Sequence, residues 1–413
     1  MPIRIPKGAF SLMQVLALAG LMASVARAQQ SETPGVTDDV VKIGISGPLT
    51  GPVAAIGAIA DGVRTKVDAV NAGGGVKMGD GKTRRIELLV EDDGLDPQRT
   101  LTNVRKLVER EEVFAVLATA GTPNNQAIGR YITQREVPNL FMYSGVHELA
   151  GPEWEIGLVP SFTTEAAVFA RYLVETKPQA KIALLYLNTE TGQIFRKALE
   201  DAVSMSNIQI AAAQPVTSAD PTVETQLSTL KASGADTLVV ITGPKQGAEA
   251  VRFAAESGWK PTTLVSNIAA SVASLKPAGL ENAKGVITSQ YLKQVNATAP
   301  GDDPGVTRYV ADHQAAKARY SLDDALGQVG YATGDALVRV LQSMKAPTRE
   351  ALMETVRNLN GVELDLLLPG ITLNTKSAED VYPIESLQLF QFDGSAYQPL
   401  GKMISFEGRT PSH

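Results

Sequence analysis

Short, nearly continuous apolar runs alternate with helical patterns along most of the chain. Residues 40–46 (VVKIGIS) form a β-branched run that ends at a Gly/Pro turn, and residues 53–71 then carry a helical pattern of small residues. Runs that are apolar on both faces are typical of parallel strands covered by helices on both sides. The sequence therefore predicts a doubly wound α/β architecture with right-handed crossovers. Further strands are predicted over residues 86–91, 114–118, 138–142, 182–186, 237–242, 387–392 and 397–404, and helices over 304–359.

Two acidic positions predict where helices begin. Asp96 precedes Pro97, and an aspartate at an N-cap accepts backbone N–H bonds while proline fits the first helical position. Asp323 and Asp324 precede another helical pattern, where the same capping role is expected.

The first residues indicate export. Arg4 and Lys7 precede an apolar stretch over residues 10–25, and the small-x-small pattern at residues 26–28 is typical of a cleavage site. The stretch is too short for a stable spanning helix, although a membrane anchor is the alternative. The chain has no cysteine, so neither a lipid-modified cysteine nor a disulfide is possible. We expect a signal peptide over residues 1–28 and a periplasmic protein without a lipid anchor.

Length and charge limit the classes of function. Removal of the signal peptide leaves 385 residues, which exceeds the size at which one core keeps growing, so two domains are expected. The formal net charge of −6 argues against nucleic acid as a partner. Neither a close repeat nor a low-complexity linker is present, which favours two lobes joined by several chain crossings.

Ligands bind at the carboxyl ends of strands in open parallel sheets. This rule selects the loops that follow the predicted strands, and most of them combine glycine with hydroxyl, amide or charged side chains. Such loops can form hydrogen bonds with a polar solute but are poor in acid–base groups. The selected loops are residues 47–51, 120–123, 143–145, 188–192, 243–246 and 266–269.

The evidence in the sequence for a catalytic, metal or cofactor site is weaker than the evidence for a solute-binding site. The acidic run at residues 91–93 could bind a hard cation, but a solvated strand end before a helix cap explains it better, because no second cluster with ligand spacing accompanies it. The triple glycine at residues 73–75 follows a helix, whereas a phosphate loop follows a strand. His147 could contact a ligand or lie exposed in its loop, and no nucleophile elbow is present. We expect no metal, no cofactor and no enzymatic activity.

Seven ordered segments carry a resemblance to a known family. The chain resembles the periplasmic substrate-binding proteins of the branched-chain amino-acid (Leu/Ile/Val-binding) type, the solute-binding components of ABC importers. No single segment is specific, but the ordered set spans nearly the whole mature chain. The segments are residues 45–51 (ISGPLTG), 91–97 (EDDGLDP), 180–186, 230–236 (LKASGAD), 258–261 (GWKP), 275–285 (LKPAGLENAKG) and 367–371 (LLPGI).

The resemblance implies a type I periplasmic binding protein, with two α/β lobes joined by three crossings and the ligand between them. The crossings would fall near Leu158, Tyr291 and Pro369. The N-terminal lobe would comprise residues 39–158 and 292–368, and the C-terminal lobe residues 159–291 and 369–410. Closure of the lobes on a solute would be a hinge motion.

The resemblance also implies the ligand contacts. Thr122 and Ser144, with loop amides, would hold a carboxylate, and Ile56 stands where relatives often carry an aromatic wall. Relatives that bind aliphatic amino acids place a glutamate in the loop after the second strand of the C-terminal lobe, but residues 266–269 contain no acid. Thr191 stands where an aromatic often closes over the ligand, and Tyr331 could reach the cleft from the hinge side. The predicted contacts are Ile56, Ala120, Gly121, Thr122, Tyr143, Ser144, Gly145, Asn188, Thr191, Gly243, Lys245 and Asn267.

Two assignments of function remain open at this point. The first is a monomeric component of an ABC importer that binds a branched-chain amino acid or a related small carboxylate, with a membrane permease and an ATPase as partners. The second is a periplasmic sensory module for a small organic, possibly aromatic, acid. An enzyme would need a nucleophile or an acid–base pair at the strand ends, which the sequence does not provide.

Overall fold

A computed structural model describes residues 33–51, 53–144, 153–217, 219–295, 301–376, 380–408 and 410. The expected signal peptide at residues 1–28, Gly145 and His147 lie outside these described residues. None of the described helices combines the length and the apolarity that a bilayer crossing requires.

The first sheet has six strands in the spatial order β2-β3-β1-β4-β5-β6. Four neighbouring pairs are parallel, and only the short β2 pairs with β3 in the antiparallel sense. Its elements in chain order are β1 (Val40–Gly47), α1 (Ala58–Ala72), β2 (Val76–Lys77), β3 (Thr83–Asp92), α2 (Pro97–Glu109), β4 (Ala115–Leu117), α3 (Thr122–Arg135), β5 (Asn139–Met142) and β6 (Glu155–Gly157).

The second sheet has seven strands in the order β13-β12-β11-β10-β9-β7-β8. The five strands from β7 to β11 are parallel, whereas β12 and β13 add an antiparallel edge. Its elements are α4 (Phe162–Thr176), β7 (Lys181–Leu187), α5 (Glu190–Val203), β8 (Gln209–Val216), α6 (Glu224–Ala232), β9 (Thr237–Ile241), α7 (Pro244–Glu256), β10 (Thr262–Val265), α8 (Val272–Leu275) and β11 (Ile287–Gln290).

The chain passes between the two sheets three times. After β11 it returns to the first lobe, where three helices precede the last two strands, and the second of these helices packs along α1. The backbones of the passages are bonded to one another: Leu368 N–H donates to Tyr291 O at 2.9 Å, and Gly157 N–H donates to Val381 O at 3.2 Å. The elements are α9 (Pro304–Ala315), α10 (Ala325–Ser343), α11 (Arg349–Val356), β12 (Ser386–Phe392) and β13 (Tyr397–Ser405).

The prediction of two α/β lobes with mainly parallel sheets is confirmed. Every residue of β4, β5 and β9 is buried, as expected for strands with helices on both faces. The predicted helix starts are also confirmed, because the Asp96 carboxylate accepts from Arg99 N–H and the Asp324 carboxylate accepts from Leu326 and Gly327 N–H.

Three predictions about secondary structure need correction. The helix expected from residue 53 begins at Ala58, after a 3-10 turn over Ala54–Gly57. The sheets are mixed, because the sequence pattern did not distinguish the antiparallel β12 and β13 from parallel strands. Five short or polar strands, β2, β6, β8, β10 and β11, were not predicted, since they lack the long apolar runs that identified the others.

Candidate ligand-binding site

The parallel strands of the two sheets direct their carboxyl ends toward each other. Gln126 lies in α3, which follows β4, and Glu190 is the first residue of α5, which follows β7. The Gln126 Nε2 donates to both carboxylate oxygens of Glu190 at 3.1 Å. This hydrogen bond joins the strand-end regions of the two lobes, and the candidate ligand cleft is assigned between them because ligands bind at strand ends in such folds.

Five predicted contacts lie together at the ends of β4 and β5 and are called here the first wall of the candidate cleft. Ala120 pairs with Tyr143 as a parallel bridge, and Gly121 N–H donates to Tyr143 O at 3.1 Å. The hydroxyls of Thr122 and Ser144 lie 2.9 Å apart, and both residues are buried. The loops after β4 and β5 are therefore held together, with two hydroxyls beside the N-terminus of α3.

The backbone around this wall takes conformations that sequence patterns do not reveal. Gly121 has φ +90°, and a Cβ there would lie 3.1 Å from Asn124 Oδ1 and from Leu95 Cδ1. Ala118 and Phe141, each two residues before a wall loop, have φ of 58° and 51°. Left-handed non-glycine residues cost free energy and concentrate at functional sites, so this part of the wall is rigidly specified.

The electrostatics of this wall favour an anion. The helix α3 directs its first N–H groups and its positive dipole end at the loop, and its first turn contains no acidic residue. Tyr143 adds a hydroxyl that stays protonated, because burial raises its pKa to about 12. Two hydroxyls and helix N–H groups together can bind a carboxylate.

The other predicted contacts lie in separate places. Asn188 is exposed at the end of β7, where its N–H donates to Val216 O at 2.7 Å, and Thr191 lies in the first turn of α5 beside Glu190. Gly243 caps α7, and Lys245 is exposed one residue into that helix. Ile56 is half-buried in the 3-10 turn before α1. Among the described residues, no hydrogen bond joins these five to Thr122.

Asn267 lies at the carboxyl end of β10, on what is called here the second wall of the candidate cleft. It donates hydrogen bonds to Glu165, a residue that the sequence did not identify. The stretch of residues 266–269 follows β10, which is the fourth strand of its sheet in chain order and not the second. Glu165, in the first turn of α4, is 1% exposed and accepts from Asn267 N–H at 2.9 Å and from Asn267 Nδ2 at 3.0 Å. An acid from a helix therefore lies against this loop, although the loop itself contains none.

Burial is the main cause of the pKa shifts of two ionisable residues around this second wall, Glu165 and Tyr291. Burial raises the pKa of Glu165, while hydrogen bonds from Ser266, Ser289 and Asn267 oppose the shift. Burial also raises the pKa of Tyr291 well above its ordinary value, and the nearby Tyr143 and Glu165 raise it further.

Tyr331 does not reach the cleft, a contact that the sequence had left open. Its side chain is fully buried between helices of the first lobe, and its hydroxyl donates to Asp312 Oδ2 at 2.7 Å. The helical pattern placed the residue on the correct element, but the direction of the side chain follows from packing, which the sequence alone did not reveal.

The acidic run is occupied by structural hydrogen bonds, and the surface cavities lie apart from the candidate contacts. Asp93 is buried and accepts from Ser46 and Thr100, and the described residues contain no cluster of acids or histidines arranged for a metal. A cavity of about 530 Å³ lies between α5 and β8, and one of about 460 Å³ lies beside α11. Neither cavity includes a predicted contact residue, so the cleft assignment depends on the strand-end geometry.

Comparison with known proteins identifies the family. The sequence profile described as "Periplasmic binding protein" matches residues 40–396. A curated relative, the Leu/Ile/Val-binding protein homolog 7 of Brucella abortus (strain 2308), is 25% identical over 338 residues, which cover 74% of this chain and 78% of the relative.

Solved structures share the fold at low sequence identity. A branched-chain amino acid ABC transporter protein from Thermus thermophilus with bound valine has a TM-score of 0.78 at 18% identity, covering 90% of this chain and 97% of that chain. A fatty acid ABC transporter substrate-binding protein from Thermomonospora curvata has a TM-score of 0.73 at 21% identity, covering 91% and 95%. The family and the fold are those of solute-binding proteins, and this chain belongs to the periplasmic binding protein family.

Proposed function

We propose that this chain is the solute-binding component of an ABC importer that captures a branched-chain amino acid or a related small carboxylate in the periplasm. A membrane permease and an ATPase would receive the solute from a monomer exported by residues 1–28. The lobes would comprise residues 39–158 with 292–368, and 159–291 with 369–410. The observation that carries the proposal is the pair of buried hydroxyls, Thr122 and Ser144, 2.9 Å apart at the N-terminus of α3.

A ligand carboxylate between these hydroxyls and the helix N–H groups would receive charge-assisted hydrogen bonds, which are stronger than neutral ones. The bond between Gln126 and Glu190 supports a closed cleft, and closure on a ligand requires better contacts in that state. The curated Leu/Ile/Val-binding relative and the valine-bound structure support an amino acid.

A thermal-shift screen of amino acids and small organic acids against the full chain tests this function. A ligand that binds only the folded protein must raise the melting temperature of the protein. At a ligand concentration of 100 times the Kd, binding adds about 2.7 kcal/mol to the free energy of unfolding. Stabilisation by branched-chain amino acids or their carboxylate analogues is expected. A broad library that gives no stabilisation would contradict the proposal.

A second candidate is a sensory module for an organic acid. The likeness to a fatty acid ABC transporter substrate-binding protein supports the organic-acid ligand of this candidate, not its sensory role. The same cleft would serve it. Stabilisation by medium-chain or aromatic acids without any response to amino acids would favour this alternative.

Replacing Thr122 by valine is expected to weaken carboxylate binding about tenfold or more, because the variant keeps the shape but loses a hydroxyl that donates to a charged group. Titration calorimetry measures the effect. The matched control is Thr102→Val, which removes an exposed hydroxyl bonded only within its own helix at Gln98 O. Equal affinities of the two variants would place the ligand away from the α3 N-terminus.

Replacing Gln126 by alanine is expected to speed ligand dissociation about two- to fivefold, because an exposed hydrogen bond to a carboxylate stabilises the closed form only modestly. Stopped-flow displacement measures this rate. Gln98→Ala, an exposed position on α2, is the control. If association slowed while dissociation stayed constant, Gln126 would not stabilise closure.

A further inference from the structure

A buried asparagine binds two carbonyl groups of the loop after β4. Asn125, the fourth residue of α3, is 3% exposed. Its Nδ2 donates to Thr119 O at 3.0 Å and to Gly121 O at 2.9 Å. Its backbone N–H also donates to Gly121 O, at 3.1 Å. The side chain therefore joins the helix to carbonyl groups on both sides of Ala120.

These bonds set the direction of two N–H groups of the first wall. A trans peptide plane directs its C=O and its N–H in opposite directions. Fixing Gly121 O therefore fixes the N–H of Thr122, the first residue of α3, and fixing Thr119 O fixes the N–H of Ala120. Both N–H groups are directed away from the Asn125 amide. Neither of them donates to another described backbone group, so both are available to a ligand.

A second buried asparagine sets the orientation of the first. Asn139, in β5, donates from Nδ2 to Asn125 Oδ1 at 3.1 Å and to Glu155 Oε1 at 3.2 Å. Thr119 Oγ1 donates to Asn139 Oδ1 at 3.3 Å. A reversed Asn125 amide would bring its oxygen against two carbonyl oxygens and its nitrogen against the nitrogen of Asn139. One arrangement therefore satisfies all four N–H bonds of the two amides.

Buried amides lose hydration, and the hydrogen bonds that replace it only about balance this cost. A fully satisfied network of this kind instead specifies a single arrangement of the groups around it. Here the specified groups belong to the loop of residues 119–122, where Ala118 and Gly121 have positive φ. The network thus holds a backbone conformation that local preferences disfavour.

We propose that Asn125 is a positioning residue for the ligand carboxylate: it holds the loop of residues 119–122 so that the Thr122 hydroxyl and N–H meet that carboxylate. Asn139 acts on the loop through Asn125. This inference rests on the proposed function and assigns part of the preference for a carboxylate to a side chain that does not touch the ligand.

The test compares two ligands that differ only at the carboxylate, L-leucine and L-leucinamide, by titration calorimetry on the full chain. Wild-type protein is expected to prefer L-leucine by at least tenfold, because charge-assisted hydrogen bonds require the carboxylate. Asn125→Ala is expected to weaken leucine binding about tenfold and leucinamide binding by less than twofold. A role in stability alone would change both affinities equally.

A conservative variant should rescue part of the effect. Asn125→Ser keeps a hydroxyl, and a serine within a helix can donate to the carbonyl four residues earlier, which here is Gly121 O. It retains one of the two side-chain bonds, so a loss of about threefold in leucine affinity is expected. This variant also serves if Asn125→Ala fails to fold.

The control is Asn71→Ala, at an asparagine of the same lobe whose amide also bonds to the backbone, at Ile86 N–H and Ile86 O. It should leave the preference within twofold of wild type. Variants of Asn125 that keep the wild-type preference, or a wild-type protein that binds both ligands equally, would overturn the role of Asn125 and leave solute binding intact. Wild-type protein that binds neither ligand would refute the proposed function as well.

Discussion

Replacing Gly330 by alanine is expected to lower the free energy of unfolding by about 3 kcal/mol or more. Helices α1 and α10 pack with their backbones in contact, and a Cβ on Gly330 would lie 2.0 Å from the carbonyl oxygen of Ile59. On the facing helix, a Cβ on Gly62 would lie 2.1 Å from Gly327 O. Because the clashing atoms belong to the backbone, the steric clash can be relieved only if the two helices move apart. Urea denaturation measures the change.

Helix propensity predicts the opposite sign, since alanine in place of glycine stabilises a helix by up to about 1 kcal/mol. The sign of the measured change therefore distinguishes close packing from propensity. The control is Gly73→Ala at the end of α1, where φ is −76° and the nearest atom to a new Cβ is 3.4 Å away. Similar stabilities of the two variants would show that α1 and α10 are not in backbone contact.

Much of the fold could be predicted from apolar runs. The runs that identified β4, β5 and β9 did so because burial on both faces requires continuous apolar sequence. The edge strand β8 (QIAAAQPV) was missed because only one of its eight residues is buried, which leaves a weak pattern. The turn of residues 73–75 was interpreted correctly, because it follows α1 and precedes a strand of an antiparallel pair.

The candidate site could be predicted only in part. The rule about strand ends selects the loops that contain Thr122, Ser144 and Asn267, and the structure brings the first two within 2.9 Å. Glu165 was missed because the rule searches loops, whereas this acid lies within a helix and reaches the loop after β10 through space. A glutamate in an otherwise apolar helical stretch, TTEAAVFA, is the signal that could have identified it.

The surroundings of Tyr331 could not be predicted for a related reason. Periodicity places a residue on a helix face, but it does not reveal which neighbours carry charge. Tyr331 bonds to Asp312 and lies near Lys66 and Asp365, within a buried ionic cluster of the first lobe. That cluster is formed by residues from α1, α9, α10 and the segment before the third crossing, so no local pattern could predict it.

Replacing Lys66 by methionine is expected to lower the free energy of unfolding by about 3 kcal/mol, because it leaves buried carboxylates without their cation. Lys66 is 8% exposed, and its Nζ lies 3.0 Å from Asp365 Oδ2 and 3.2 Å from Asp335 Oδ1. Arg308 still reaches Asp365 in the variant, which limits the loss. Urea denaturation measures the change, with Lys106→Met as the control at a partly exposed pair, where less than about 1 kcal/mol is expected.

The pH dependence identifies the cause of this loss. Burial raises the pKa of Asp365, but Arg308 and Lys66 outweigh it, so the folded pKa lies below the ordinary value. A depressed carboxylate pKa contributes stability that is present above the unfolded pKa and is lost as the pH falls through the folded pKa. The difference in the free energy of unfolding between wild type and Lys66→Met should therefore shrink in acid. At neutral pH, adding Asp365→Asn to Lys66→Met should recover part of the lost stability. A difference independent of pH would assign the loss to packing, because the lysine stem also fills space beside Gly334.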